Sequence, residues 1–339
     1  MKKVTPFLAL LLFTSCSFDI DKYVPDVFKK PAGISTTAYT KKLKKYAINV
    51  TRDGVTFNDG SYITPEGEGN VILPKGYYFV NSSGGRILAS NNYGNIMVLK
   101  DNGEELAQTK LRAPLVSGAT YSGGIVYLLA GNYIGLYDPF RNKVTYERQL
   151  KGGYAVDNRL ANPIVAQNFI AIPTLDGKLV LINRVKPDVP RAIPIGENKN
   201  YGNIIFLKAL DNTMIAATPS RLISIAPNQK HEKEIKVADI TIKDGYIYLL
   251  TRDGWVKKLD SNLNEVLSRK FDYADFATIA ILPDKICAFA KSGSLVVMDK
   301  DMQKYRVYSL KAAKNYSYAS GNYLYVDDRK LDLSALRYE

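Results

Sequence analysis

Residues 245–260 read GYIYLLTRDGWVKKLD, from Gly245 to Asp260. Apolar and polar side chains alternate up to a tight Asp253-Gly254 turn, then alternate again as far as an Asp. That is the chemistry of two antiparallel strands joined by a short hairpin. Gly124 to Asp138, GIVYLLAGNYIGLYD, repeats the unit one residue shorter. Arg86 to Lys100, Phe169 to Ile182 and Ile286 to Asp299 repeat it again. Thr51-Arg52-Asp53-Gly54 matches Thr251-Arg252-Asp253-Gly254 residue for residue.

Placing the turn of each unit at Gly54, Gly94, Tyr133, Gly177, Ser220, Gly254, Gly293 and Arg329 gives intervals between 34 and 44 residues. Helical spacing at i, i+3, i+4, i+7 persists nowhere. A period near 40 with several short strands per unit predicts an all-β fold, a β-propeller of eight four-stranded blades, with seven also compatible. A β-solenoid is the competing architecture, but its repeats are shorter and more regular. Each blade alone exposes both faces, and a ring buries them. The last unit, Tyr323 to Glu339, is short of an outer strand. Residues around Lys41 to Val50 are expected to complete it.

Before the repeats the chain changes character. Lys2 and Lys3 precede an apolar run, Val4 to Phe13, then Thr14-Ser15-Cys16. The run is too short to span a bilayer and reads as a signal peptide, residues 1–15. Residues 16–45 hold Pro25, Pro31 and Ser35-Thr36-Thr37 and end in Lys41-Lys42-Leu43-Lys44-Lys45. They read as a flexible tether, with the propeller at 46–339. The basic cluster fits a solvated linker or a contact with anionic headgroups.

The formal charge of the chain is +13, and removing Lys2 and Lys3 leaves +11. Such a balance favours anionic neighbours: headgroups, acidic protein faces or nucleic acid. Nucleic acid is not expected at an exported address. Besides Cys16 the only cysteine is Cys287, in the apolar run Lys285 to Ala290, which reads as a buried strand.

No catalytic constellation emerges. The single histidine, His231, sits in the polar stretch Asn228 to Glu234 with no partner His or Cys. It reads as a surface loop residue. Asp53, Asp176, Asp253, Asp260 and Asp299 recur at repeat positions, which points to turn work rather than to an acid–base pair. An enzyme and a bound cofactor or metal are therefore not expected. The 24 tyrosines suit strands and interfaces.

Two resemblances extend this reading. Thr14-Ser15-Cys16 resembles the lipobox of bacterial lipoproteins, which implies acylation of Cys16. Ser17 after it implies sorting to the outer membrane, facing the periplasm. The repeats, as in Ala113-Pro114 through Asp138 and Asn162-Pro163 through Ile182, resemble those of PQQ-like propellers from Tyr46 on. A lipoprotein built only of such blades resembles the BamB family of outer-membrane β-barrel assembly. The usual outer-strand Trp is missing, for the chain has one Trp, Trp255. The BamB resemblance implies a scaffold for envelope proteins, contacted through a Leu-Arg loop whose nearest match is Leu111-Arg112. Another envelope or motility complex, or glycan binding, is the alternative.

Overall fold

A computed structural model describes residues 35–153, 155, 157, 159–187, 189–195, 202–272 and 274–339. Cys16 and the expected signal peptide lie outside these residues. All regular structure described is β, in eight sheets. Blades 1 to 7 are four-stranded meanders at 47–68, 78–110, 115–149, 164–194, 206–234, 237–270 and 276–309. First strands of neighbouring blades touch one another, so they ring the axis, and fourth strands lie outermost.

Blade 8 contributes only three consecutive strands, Ser317–Ser320, Tyr323–Val326 and Arg329–Asp332. Its outer strand is Lys41–Lys42, paired antiparallel with Arg329 and Lys330. The expected closure is therefore made by Lys41–Lys42, whereas Ala47–Val50 opens blade 1. Ser35–Thr36 adds a fifth strand to blade 7, parallel to Tyr308 and Ser309. The end of the segment read as a tether is thus paired into the ring.

Strand alternation explains the core. On Lys285–Ala290, Ile286, Ala288 and Ala290 pack with blade 6, while Cys287 and Phe289 pack with blade 8. Successive side chains leave a strand on opposite faces, so each strand feeds two interfaces. Eight apolar clusters fill the eight blade junctions. Burying one Leu, Ile or Phe contributes roughly 1.5–3 kcal/mol.

One bond sets the repeat. The Gly254 carbonyl, in the turn between second and third strands, accepts the N–H of Phe271 just past the fourth strand at 2.8 Å. Gly254 has φ +89°, and a Cβ there would sit 2.1 Å from the Phe271 carbonyl oxygen. A side chain would clash at this position, so glycine is required here. The same bond joins Gly60 to Leu73, Gly94 to Leu111, Asn132 to Leu150, Gly177 to Ile195, Ser220 to Ile235 and Gly293 to Leu310. The blade 1 member is Gly60, not Gly54. Thr51–Gly54 joins the first and second strands of its blade, so it is not the counterpart of Thr251–Gly254.

Candidate functional site

That displaced turn builds the centre of the ring. The second and third strands of blade 1, Val55–Phe57 and Tyr62–Thr64, have three residues each, against five or six in blades 2 to 7. The hairpin 51–54 therefore turns early, and its tip enters the axis. Arg52 Nε donates to the Ile205 carbonyl at 3.0 Å, and Nη1 donates to Asp239 Oδ1 at 2.6 Å. Tyr318 Oη donates to the Arg52 carbonyl at 3.2 Å. Asp53 accepts from Lys208 Nζ at 3.1 Å and from Asn162 Nδ2 at 2.7 Å.

Asn162 extends the lattice. Its Nδ2 also donates to the Val80 carbonyl, and its Oδ1 accepts the Gly118 N–H, both at 2.9 Å. Asp239 Oδ2 accepts the Ile279 N–H at 2.9 Å. These partners come from blades 2, 3, 5, 6, 7 and 8 and from the segment entering blade 4. One hairpin of blade 1 thus joins all eight. The expectation that Asp53 does turn work is corrected: it is buried on the axis and paired with a lysine. Burial raises the Tyr318 hydroxyl well above its ordinary value, and the nearby Asp53 charge adds to this.

One face of the ring opens as a funnel of about 1440 Å³. The funnel is lined by second-to-third-strand turns and inter-blade connections, so these define one face of the ring. Asp157, Arg159 and Ala238 are among its lining residues. Arg159 Nη2 meets Asp157 Oδ2 at 2.5 Å, and Nη1 donates to the Ala238 carbonyl. Burial opposes ionisation of Asp157, but the hydrogen bonds and charge of Arg159 outweigh it and hold the carboxyl below its ordinary value. Asn49 Oδ1, also in the lining, and Arg52 Nη2 are buried and have no partner among the described residues. Such groups retain hydrogen-bonding capacity.

The wall has two characters. Tyr46 and Ile48 of blade 1 expose 64% and 48% of their surface there. Arg252, Lys311 and Lys314 stand elsewhere on the wall. Among the described residues none of these three has an acidic partner within 4 Å. The acids nearby are engaged: Asp275 faces Lys291 at 3.8 Å, and Asp327 accepts the N–H groups of Lys314, Asn315 and Tyr316. The arrangement offers free positive charge beside exposed apolar surface. Among the described residues no three His, Cys, Asp or Glu side chains are placed to hold a metal ion.

Leu111 is buried between blades 2 and 3. Arg112 is exposed at the inter-blade connection on the funnel face, bonded to Glu147 Oε1 at 2.9 Å and stacked 5.1 Å from the Tyr133 ring. His231 lies in the outer strand of blade 5, Gln229–Glu234, rather than in a loop, and its Nε2 is buried without a partner among the described residues. Cys287 is buried as expected. The axial residues were missed because a tetrapeptide identity outweighed a positional clue: a second turn, Asn58-Asp59-Gly60, follows Gly54 within six residues.

No protein-family model matches the chain. It is 28% identical over 233 residues to the plasminogen-binding protein PgbB of Helicobacter pylori strain J99, covering 67% of this chain and 43% of that protein. It is 25% identical over 371 aligned positions to PgbB of strain 26695, covering 94% of this chain and 67% of that protein. The chain thus spans about half to two thirds of these relatives. Among solved structures it resembles BamB from Moraxella catarrhalis, with TM-score 0.62 and 12% identity over 86% of this chain and 98% of that one. The fold is a BamB-like eight-bladed propeller.

Proposed function

We propose that this chain is a protein-interaction scaffold, held to the outer membrane through lipid on Cys16, facing the periplasm and binding an envelope protein at its funnel face. The observation that carries this is the funnel itself: a wide mouth that sets Tyr46 and Ile48 beside Arg252, Lys311 and Lys314, cations with no acidic partner among the described residues. A mouth of this kind suits a protein segment, because exposed aromatic surface with a cationic rim is interface chemistry. Binding without chemical turnover is the reading, since the carboxylates near the axis are committed to Arg and Lys. The finer reading is a partner in outer-membrane β-barrel assembly, supported by the BamB-like fold. A second reading is plasminogen binding, favoured by the two relatives that carry that name.

Crosslinking in cells, followed by mass spectrometry of the captured proteins, tests the first reading. Recovery of β-barrel assembly subunits, lost with Arg252→Glu/Lys311→Glu/Lys314→Glu, supports it. Capture unchanged by that variant overturns the funnel as the binding face. Surface binding of purified plasminogen at physiological salt decides the second reading.

A further inference from the structure

The opposite face of the ring carries the turns between first and second strands and between third and fourth strands. Arg184, from a third-to-fourth-strand turn, lines one cleft there with Ser122 and Gln167, from two first-to-second-strand turns. On this face blades 3 and 4 differ from the rest. Phe140 is 83% exposed, Val185 is 85% exposed and Val189 is 81% exposed. These are the three most exposed large apolar side chains among the described residues. All three stand in the third-to-fourth-strand turns of adjacent blades.

Their exposure is built by the backbone. Asp138 Oδ1 accepts the N–H groups of Phe140 and Arg141 at 2.9 and 3.1 Å. Asn183 Oδ1 accepts those of Val185 and Lys186 at 2.8 and 3.0 Å. The two blades use one turn design, an Asp or Asn fixing the residue two positions on. In blade 6 the same design fixes Asn262, which is polar. The apolar turn residues of blades 6 and 7, Leu263 and Met302, are folded inward and buried. Among the described residues only blades 3 and 4 hold such residues outward.

Cations flank each tip. Arg141 and Lys143 follow Phe140 and Lys186 follows Val185, while Arg184 is already bonded to the Ala166 and Gln167 carbonyls. Each turn holds a single acid, and Asp138 is occupied with its own turn and with Arg141 at 3.7 Å. Separate apolar tips set among Lys and Arg match the boundary of an anionic lipid leaflet. The tips enter the headgroup region while the cations meet phosphates. A protein partner would more naturally meet a continuous patch with a buried centre.

We propose that the third-to-fourth-strand turns of blades 3 and 4 form a membrane-contact edge that rests on anionic phospholipid. The ring then presents its funnel away from the bilayer. This inference does not depend on acylation of Cys16.

The test uses the full chain carrying Cys16→Ser, so that no acyl group assists. An environment-sensitive fluorophore is placed at Val185→Cys, or at Tyr93→Cys on the funnel face as control. Vesicles are phosphatidylglycerol with phosphatidylethanolamine, or phosphatidylcholine alone, each with a headgroup nitroxide quencher. The expected result is a blue shift and quenching at position 185 on anionic vesicles, none at position 93, and at least a fivefold loss with Phe140→Ser/Val189→Ser. No response at 185, or an equal response at 93, overturns the proposal. A shift at 185 with envelope proteins but not with vesicles also overturns it, and makes the edge a protein interface.

Discussion

Arg52 of blade 1 and Asp239 of blade 6 form an ion pair, Nη1 to Oδ1 at 2.6 Å, although blades 7 and 8 stand between them in the ring. Both side chains are nearly sequestered, at 13% and 11% exposure. Propeller blades ordinarily touch only their neighbours, so this contact spans the axis. Buried pairs of this kind add little net stability over an apolar filling but enforce one arrangement.

Removing one partner is a different matter. Arg52→Ala leaves Asp239 and the Ile205 carbonyl without their donor. A loss of roughly 3–5 kcal/mol is expected. Chemical denaturation followed by circular dichroism measures it. A loss under about 1 kcal/mol would mean that the hairpin 51–54 does not fasten the axis.

Asp157 predicts an acid dependence. Its folded carboxyl sits below the ordinary value, with Arg159 outweighing burial. The resulting stabilisation is present above the unfolded value and fades as pH falls through the lower folded one. Asp157→Asn is expected to lower stability near pH 7 and to converge with the parent at strongly acidic pH. Denaturation midpoints across pH 2–7 check this. Parallel curves for the two proteins would remove Asp157 from the acid transition.

Cys287 serves as an internal probe. Burial pushes its thiol up to about 12, so almost no thiolate exists at neutral pH. Maleimide labelling of the native Cys16→Ser chain is expected to be negligible and to follow unfolding in denaturant. Rapid native labelling would mean that the junction of blades 7 and 8 opens locally.

Tyr39 tests the seam. Its hydroxyl donates to the Lys311 carbonyl at 2.8 Å, and its ring packs at the junction of blades 7 and 8 beneath Arg329. Tyr39→Phe is expected to cost about 1 kcal/mol, and Tyr39→Ala more. Hydrogen exchange is the readout, with faster exchange of Arg329–Asp332 than of blades 3 to 5. Uniform acceleration would mean that the seam is no weaker than the rest.

The repeat was legible because the bond from Gly254 to Phe271 recurs in blade after blade at a tight turn, held by glycine in five of seven blades and by Asn132 and Ser220 in the other two. Strand alternation was legible for the same kind of reason: a side chain that must face a neighbouring blade must be apolar. The axis was not. Lys208, Asn162 and Asp239 come together only once the ring closes, and no local rule spaces them along the chain. Asp53 was misread because Thr51–Gly54 and Thr251–Gly254 spell the same hairpin at two different corners of a blade. Sequence specifies a turn's shape, while its place in the meander depends on which strands form on either side. The tips Phe140 and Val185 were invisible for a simpler reason. An exposed apolar residue and a buried one look alike until the burial of Leu263 and Met302 is seen beside them.

Blade 8 draws its outer strand from Lys41–Lys42 and its other three from the end of the chain. The earlier-made strand therefore waits for the later-made ones. A chain emerging in order from a ribosome or a translocation pore can stack blades 1 to 7 early, yet it stays an open arc until residues 329–332 arrive. Truncated products lack the clasp and keep two raw blade faces, which marks them for proteolysis. The same clasp makes a mechanical circuit. A pull on the amino-terminal side reaches Ser35–Thr36 on blade 7 first and Lys41–Lys42 on blade 8 next, so force enters the ring at the seam between these two blades.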